Sequence, residues 1–132
     1  MLYAVASATV PKMTVIVRKG YGAGYYVMNG RAYEPDLLVA WPGAEISVMG
    51  AEGMVGIAGK KLFGEAEPPP QVKQQLTAMI QQQIDIFRVA GWGLVDDVID
   101  PRDTRHVLCR AVELSWDRRV ERPWRKHGIM PV

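Results

Sequence analysis

The part of the chain best suited to chemistry is a glycine-rich turn, residues 20–24, which reads Gly-Tyr-Gly-Ala-Gly. It follows a short apolar segment and precedes a short helical pattern, so residues 15–28 predict a strand-turn-helix unit. Small residues let a ligand oxygen approach backbone N–H groups closely, and such groups at the start of a helix can stabilise developing negative charge. By itself, however, the pattern more often marks a structural turn, because glycine-rich turns are common.

Carboxylates and histidines are the other residue types that could support catalysis or bind a metal. Asp36, Glu45 and Glu52 fall on different predicted elements, and nothing in the sequence fixes the distances between them. We therefore expect these carboxylates to have solvated or structural roles and not to form an acid–base pair. His106 and His127 have no Cys or carboxylate partner at the spacing of metal ligands, so we predict no metal site.

A single cysteine and a basic tail complete the candidates. Cys109 lies beside the apolar stripe of a predicted helix, which favours an inert buried thiol over a nucleophile. The tail contains the cationic residues Arg118, Arg119, Arg122, Arg125 and Lys126. Asp117 and Glu121 interrupt this basic run, and only Trp116 and Trp124 could stack on bases. We therefore expect a solvated or subunit-contacting tail, and no nucleic-acid partner.

Composition narrows the class of protein. The chain has 132 residues, of which 48% are hydrophobic and 23% charged, and this balance is ordinary for one small globular domain. A formal net charge of +2 gives no independent indication of nucleic-acid binding. One Cys cannot form an internal disulfide, so we expect a reducing compartment and a cytoplasmic protein. No segment predicts a membrane span, and the start lacks the positive residues of a signal peptide.

Apolar periodicity predicts the elements that must position the turn. Short apolar segments predict strands at 13–18, 37–41, 45–49 and 94–99. Helical spacing or composition predicts helices at 2–8, 25–29, 51–58 and 71–90, with a connector at 59–70. A last helix opens at Asp100, which can be its N-cap, with Pro101 at the first helical position. Short strands that alternate with helices indicate the α/β class.

Three segments of the chain resemble one known family, in the order in which that family has them. Residues 18–53 read RKGYGAGYYVMNGRAYEPDLLVAWPGAEISVMGAEG, and residues 93–108 read GLVDDVIDPRDTRHVL. The chain ends in RKHGIMPV, and residues 2–19 fit the approach to the glycine turn. Together they resemble the carboxyltransferase β-subunits of biotin-dependent acyl-CoA carboxylases, a family that includes propionyl-CoA, acetyl-CoA and methylcrotonyl-CoA carboxylases and related decarboxylases.

The resemblance implies a crotonase-like fold, a spiral of ββα units followed by C-terminal helices. It covers only the later part of the second of two such domains in the family. We therefore expect residues 1–132 to form one partial domain, the C-terminal part of the carboxyltransferase C-domain. The absent partner would be an N-terminal carboxyltransferase domain, and the resemblance implies a homo-oligomer in which active sites form between subunits.

The resemblance also implies site residues at the glycine turn. The backbone amides of Ala23 and Gly24 fall where family members place an oxyanion hole, and Gly22 and Tyr26 fall where the substrate binds. Tyr26 matches a position that helps set acyl-chain preference, although its ring could equally pack in the core. Gly-Ala-Gly followed by Gly-Arg-Ala-Tyr is similar to the methylcrotonyl type, whereas the C-terminal residues are similar to the propionyl type, so the acyl substrate stays open.

The function that the resemblance implies is transfer of a carboxyl group from carboxybiotin to an acyl-CoA. Biotin would be carried on a partner, the biotin carboxyl carrier or biotin carboxylase subunit. The resemblance implies that biotin itself takes the substrate proton, so no protein base is expected. Two alternatives are a biotin-dependent acyl-CoA decarboxylase subunit and a non-catalytic assembly fragment.

Overall fold

The computed structural model describes residues 1–64 and 69–118. Five strands lie at β1 Met13–Ile16, β2 Lys19–Tyr21, β3 Leu37–Ala40, β4 Glu45–Ser47 and β5 Asp97–Val98. Six α-helices lie at α1 Leu2–Ser7, α2 Gly22–Val27, α3 Ala51–Phe63, α4 Pro70–Ile84, α5 Ile86–Gly91 and α6 Thr104–Trp116. Two 3-10 turns, Arg31–Tyr33 and Pro101–Asp103, complete the described elements.

The strands and helices repeat a ββα unit. β1, β2 and α2 form one unit, and β3, β4 and α3 form the next. The first strands of the two units pair in parallel in a sheet of order β1-β3-β5, while the second strands, β2 and β4, pair in parallel in a separate sheet. Parallel pairing follows because each return to the same sheet crosses over through a helix. The crotonase-like repeat of the α/β class predicted from the sequence is therefore confirmed.

The core lies between the larger sheet and α5. Leu38 and Ala40 of β3 are fully buried and belong to one hydrophobic cluster with Ile86 and Val89 of α5 and Ile16 of β1. β3 is buried along most of its length because it lies between two strands and carries consecutive apolar residues, as expected for a parallel strand covered on both faces. β1 is a sheet edge among the described strands, and Ile16 is its one buried residue.

The glycine turn contains more regular structure than its sequence suggests. Residues 19–21 form β2, which the sequence did not predict, and α2 begins at Gly22, three residues before the predicted start. Three residues carry too little periodicity to mark a strand. What makes them one is pairing with β4, in which Gly20 lies opposite Ile46 and Tyr21 opposite Ser47.

The predicted long helix at 71–90 is two helices. Asp85 adopts an extended conformation (φ −60°, ψ 137°), and its side chain accepts a hydrogen bond from the Phe87 amide at 3.0 Å. Its backbone also forms an antiparallel bridge with Glu45. Asp85 therefore ends α4 and starts α5. The apolar spacing continues across this break, so the prediction was wrong there. The predicted helix at 51–58 extends to Phe63, so the first part of the predicted 59–70 connector is helical.

Asp100 is a capping residue as predicted, but it does not cap the last α-helix directly. The Asp100 carboxylate accepts from the Arg102 amide at 2.9 Å, but the turn it caps is the 3-10 turn, and α6 follows at Thr104. The strand predicted at 94–99 is reduced to the two residues of β5, which pair with Val39 and Ala40. In the described ranges, no helix has the length and apolarity needed to cross a bilayer.

Candidate functional site

The predicted site lies where β2 ends and α2 begins. Gly22 has a left-handed backbone (φ +51°), and a Cβ built on it would lie 2.7 Å from the Val48 carbonyl oxygen. Glycine is therefore required there for both its backbone angle and its lack of a side chain. Since Val48 directly follows β4, the β2–β4 pairing presses the turn against the neighbouring unit and sets the direction in which α2 starts.

Ala23 and Gly24 are exposed residues in the first turn of α2, where N–H groups have no partner within the helix. Across residues 1–64 and 69–118, no hydrogen bond engages either amide. A Cβ built on Gly24 would meet nothing within 4 Å. Two adjacent donors thus have no hydrogen-bond partner among the described residues. Their assignment as an oxyanion hole stays a prediction.

An open cleft of about 470 Å³ runs along this region. Its walls include β1, the segment that joins it to β2, and the α2 residues Gly24, Tyr25 and Met28. The cationic residues Arg18 and Lys19 also line it, so the opening next to the amides carries positive charge that would favour an anionic group.

The two adjacent tyrosines of α2 have different roles. The Tyr25 ring packs on the core cluster between Gly20 and Gly30, where added Cβ atoms would lie 3.3 and 2.9 Å away, and its hydroxyl accepts from the Arg31 amide at 3.0 Å. Tyr26 is 50% exposed and contacts the Tyr33 ring edge-on, with centroids 5.3 Å apart. The alternative that Tyr26 packs in the core is therefore wrong, while its predicted part in substrate binding is untested.

Glu45 belongs to a hydrogen-bond network behind the turn. One carboxylate oxygen accepts from the Tyr21 hydroxyl, and the other accepts from the Gln81 side-chain amide of α4. Burial, followed by the hydrogen bond to Glu45 and the charge of Glu45, raises the pKa of Tyr21 to about 12. Tyr21 is therefore a neutral donor throughout the physiological range. Tyr21 and Glu45 are 24 positions apart along the chain, and Glu45 and Gln81 are 36 apart, so no local pattern could have revealed this network.

The other carboxylates do not converge on the turn. Asp36 accepts from the Lys12 amide at 2.9 Å and from Arg118 at 3.1 Å, and Glu52 is exposed in the first turn of α3. A carboxylate that we had not singled out, Asp96, accepts from the Leu38 amide at 2.7 Å and pairs with Arg31 at 2.5 Å. These contacts hold strands and turns together. They agree with the structural roles that we expected for Asp36 and Glu45.

The remaining candidates lie away from the turn. His106 is exposed on α6, and His127 lies outside the described residues. Within the described part of the chain, no three His, Cys, Asp or Glu residues group as metal ligands would. Cys109 is exposed, so the prediction of a buried thiol was wrong. The prediction assumed that the rest of the chain covers the apolar stripe of α6 and the residues beside it. In the described part of the chain, Cys109 is not covered. In the basic tail, Arg118 alone lies within the described residues.

Comparisons with known proteins agree on one family. Residues 1–130 match the family described as "Carboxyl transferase domain". The chain is 42% identical over 132 residues to the mitochondrial propionyl-CoA carboxylase beta chain of Rattus norvegicus, covering 100% of this chain and 23% of that protein. It is 39% identical over 133 residues to the methylmalonyl-CoA decarboxylase subunit alpha of Propionigenium modestum, covering 100% of this chain and 26% of that protein.

A solved structure supports the same relationship. The chain superposes with a TM-score of 0.82 on the transcarboxylase 12S subunit, a hexamer solved with methylmalonyl-coenzyme A and methylmalonic acid bound. Sequence identity is 41%, and the match covers 99% of this chain and 25% of the 12S chain. The chain thus spans about a quarter of the length of the relatives that it matches.

Proposed function

Because this chain belongs to the carboxyl transferase family, we propose that it forms the part of an acyl-CoA carboxylase carboxyltransferase subunit that faces carboxybiotin. The reaction would move a carboxyl group from carboxybiotin to the α-carbon of an acyl-CoA. The observation that carries the proposal is the pair of open amides at Ala23 and Gly24, placed at the turn between β2 and α2.

The proposed chemistry of the turn is electrostatic. When bound, carboxybiotin would supply the carboxyl group, and its ureido oxygen would carry negative charge once that group is transferred. The amides of Ala23 and Gly24 would donate hydrogen bonds to that oxygen, and their fixed directions mean that they need no reorganisation during the reaction. The fit rests on the lack of a hydrogen-bond partner at these amides and on the position of Gly24 in the wall of the cleft. Arg18 and Lys19 in the adjoining cleft would add favourable positive charge.

Proton transfer needs no side chain of this chain in the proposed reaction. The α-carbon would lose a proton and gain a bond to the carboxyl carbon, and the ureido group of biotin, having lost the carboxyl group, would be the acceptor of that proton. In agreement with this, the carboxylates Asp36 and Glu45 are engaged in structural hydrogen bonds away from the open face of the turn.

Substrate, partners and location are proposed from the family. The 12S structure contains methylmalonyl-coenzyme A, which supports an acyl-CoA substrate here, and its hexamer supports a homo-oligomer. An N-terminal carboxyltransferase domain and a biotin carrier would complete the site. Gly22 and the half-exposed Tyr26 would contact the substrate, with Tyr26 limiting acyl-chain shape. A cytoplasmic location remains a prediction from the single cysteine.

A decarboxylase subunit is the second candidate, and the 39% identity to the Propionigenium modestum decarboxylase subunit favours it. Such an enzyme moves the carboxyl group from an acyl-CoA to biotin. The same amide pair would serve both directions. The N–C bond of carboxybiotin would break in one direction and form in the other, and the ureido oxygen would carry the negative charge in both.

A chimeric subunit tests the proposal. This chain replaces the matching quarter of the 12S subunit, and the assay follows loss of the carboxyl group of methylmalonyl-CoA in the presence of a biotin carrier protein. We expect activity in the chimera, and we expect Gly24→Pro to lower it by about a hundredfold or more, because one amide donor is removed. Gly24→Ala keeps the N–H in open space and should retain most of the activity.

Two results would count against the proposal. A chimera that assembles to the size of the 12S hexamer but transfers no carboxyl group would favour a non-catalytic assembly role. An active chimera whose turnover is the same with Gly24→Pro as with Gly24→Ala would remove the oxyanion role from this amide.

A further inference from the structure

Tyr21 connects the amide turn to the body of the protein. It is the last residue of β2 and the N-cap of α2, so it directly precedes Gly22 and lies two positions before Ala23. Its ring lies against Gly50, where an added Cβ would be 3.3 Å from the ring, and its hydroxyl donates to Glu45. A shift of Tyr21 would therefore move the start of α2, and with it the two open amides.

Glu45 is held firmly enough to act as an anchor for Tyr21. Its backbone amide donates to the Arg18 carbonyl oxygen at 2.7 Å, and it pairs with Lys19 across the β2–β4 sheet. On its other side, its backbone forms the antiparallel bridge with Asp85, between α4 and α5. Its side chain is only partly exposed, and both carboxylate oxygens are occupied. The carboxylate thus has a fixed position from which to hold the tyrosine hydroxyl.

Gln81 extends this connection to a second structural layer. Its side-chain amide reaches from α4 to the Glu45 oxygen that Tyr21 does not use. The same glutamine also lines an open groove between α3 and α4, together with Glu52, Lys73 and Thr77. The network therefore joins the turn that carries the amides to a helix that contributes nothing to the turn itself.

We propose that Glu45 is a positioning residue: by accepting hydrogen bonds from Tyr21 and Gln81, it fixes the direction in which the amides of Ala23 and Gly24 point. The inference rests on the proposed carboxyltransferase function and adds to it a residue that touches neither substrate nor biotin. Charged acceptors make the stronger hydrogen bonds, which suits a carboxylate for this task. A misplacement of about 1 Å at a reacting group can lower a rate by about a hundredfold.

Kinetics of the chimeric subunit test the proposal. Glu45→Ala should lower kcat by about ten- to a hundredfold, and Tyr21→Phe, which keeps the ring, by about tenfold. The KM for methylmalonyl-CoA should change by less than about twofold, because no substrate contact is removed. Glu45→Gln can still accept from Tyr21 and should recover kcat to within about threefold of the unsubstituted chimera. The double variant Tyr21→Phe with Glu45→Ala should be no slower than Glu45→Ala alone.

The control and the contrary outcomes are distinct. Glu113→Ala removes an exposed ion pair with Arg110 on α6 and should leave kcat unchanged. Each kcat is expressed per assembled, folded subunit, measured by size-exclusion chromatography and thermal melting.

A normal kcat per folded subunit with a lower yield in Glu45→Ala and Tyr21→Phe would make the network purely structural and overturn the proposal. If Gly24→Pro is inactive while both variants keep a normal kcat, the positioning role fails and the proposed function stands. If Gly24→Pro is fully active, the proposed function itself fails.

Discussion

The β2–α2 turn and helix α6 are held in place in different ways. Around the turn, backbone atoms approach so closely that side chains are excluded, as at Gly22, where a Cβ would lie 2.7 Å from the Val48 carbonyl oxygen. Helix α6 is held by contacts of side chains, for example the 2.9 Å hydrogen bond that the Trp41 indole donates to the Thr104 hydroxyl. It leaves Leu114 66% exposed and Trp116 81% exposed.

The two regions therefore differ in how much of their surface is packed against other described residues. The turn that carries the two amides is constrained by strand pairing and glycine packing, and Tyr21 beside it donates a hydrogen bond to Glu45. The apolar residues of α6, in contrast, contact little of the described chain. Substitutions at the closely packed positions of the turn, such as Gly22, should therefore lower stability, whereas those on the outer face of α6 should be tolerated.

The largest expected effect comes from Gly22→Ala. The new methyl group would meet the Val48 carbonyl oxygen at 2.7 Å in a left-handed backbone conformation, so both strain and a backbone clash oppose it. We expect a loss of about 3 kcal/mol or more, seen as a lower melting temperature and a poor soluble yield of the chimeric subunit.

Gly43→Ala is the matched control for that substitution. Gly43 also has a left-handed backbone (φ +82°), but an added Cβ there meets nothing within 4 Å. Its loss should be about 1–2 kcal/mol, the contribution of the backbone angle alone. Equal melting temperatures for the two variants would show that the close approach to Val48 does not constrain the turn.

A second comparison uses the same substitution in both regions. Leu38→Ala removes a fully buried side chain from the core beneath the turn and should lower stability by about 3 kcal/mol. Leu114→Ala on the exposed face of α6 should change it by about 0.5 kcal/mol or less. Thermal melting of the two chimeric variants measures the difference. A loss at Leu114 as large as that at Leu38 would mean that α6 is buried by the remainder of the subunit.

The smallest expected effect on stability at neutral pH comes from the titration of the Tyr21 hydroxyl. Its pKa is raised from 10.0 to about 12 in the folded chain by burial and by Glu45. Because the folded state binds this proton more tightly, the contribution to stability is fully present below pH 10 and is lost as pH rises towards 12. The melting temperature of Tyr21→Phe should therefore be less sensitive to pH between 10 and 12 than that of the unsubstituted chimera. Parallel curves for the two proteins would contradict the assigned shift.

Local sequence signals predicted the elements whose causes are local. The apolar residues of β3, the capping carboxylate of Asp100 and the proline after it all determine structure within a few residues, and the structure confirmed them. The break at Asp85 was missed because the helical spacing continues through it, while its bridge to Glu45 depends on a contact 40 positions away. The exposure of Cys109 was missed because apolar spacing shows which face of a helix is apolar, but not whether anything covers that face.

The sequence by itself determined the α/β class, the family and the position of the glycine turn at residues 20–24. Those conclusions need only the order of residue types along the chain. Only the tertiary structure decided that residues 19–21 are a strand, that Tyr25 and not Tyr26 packs in the core, and that Glu45 joins Tyr21 to Gln81. The physical reason is that each of these depends on contacts between distant parts of the chain, which parallel strands and their crossovers bring together.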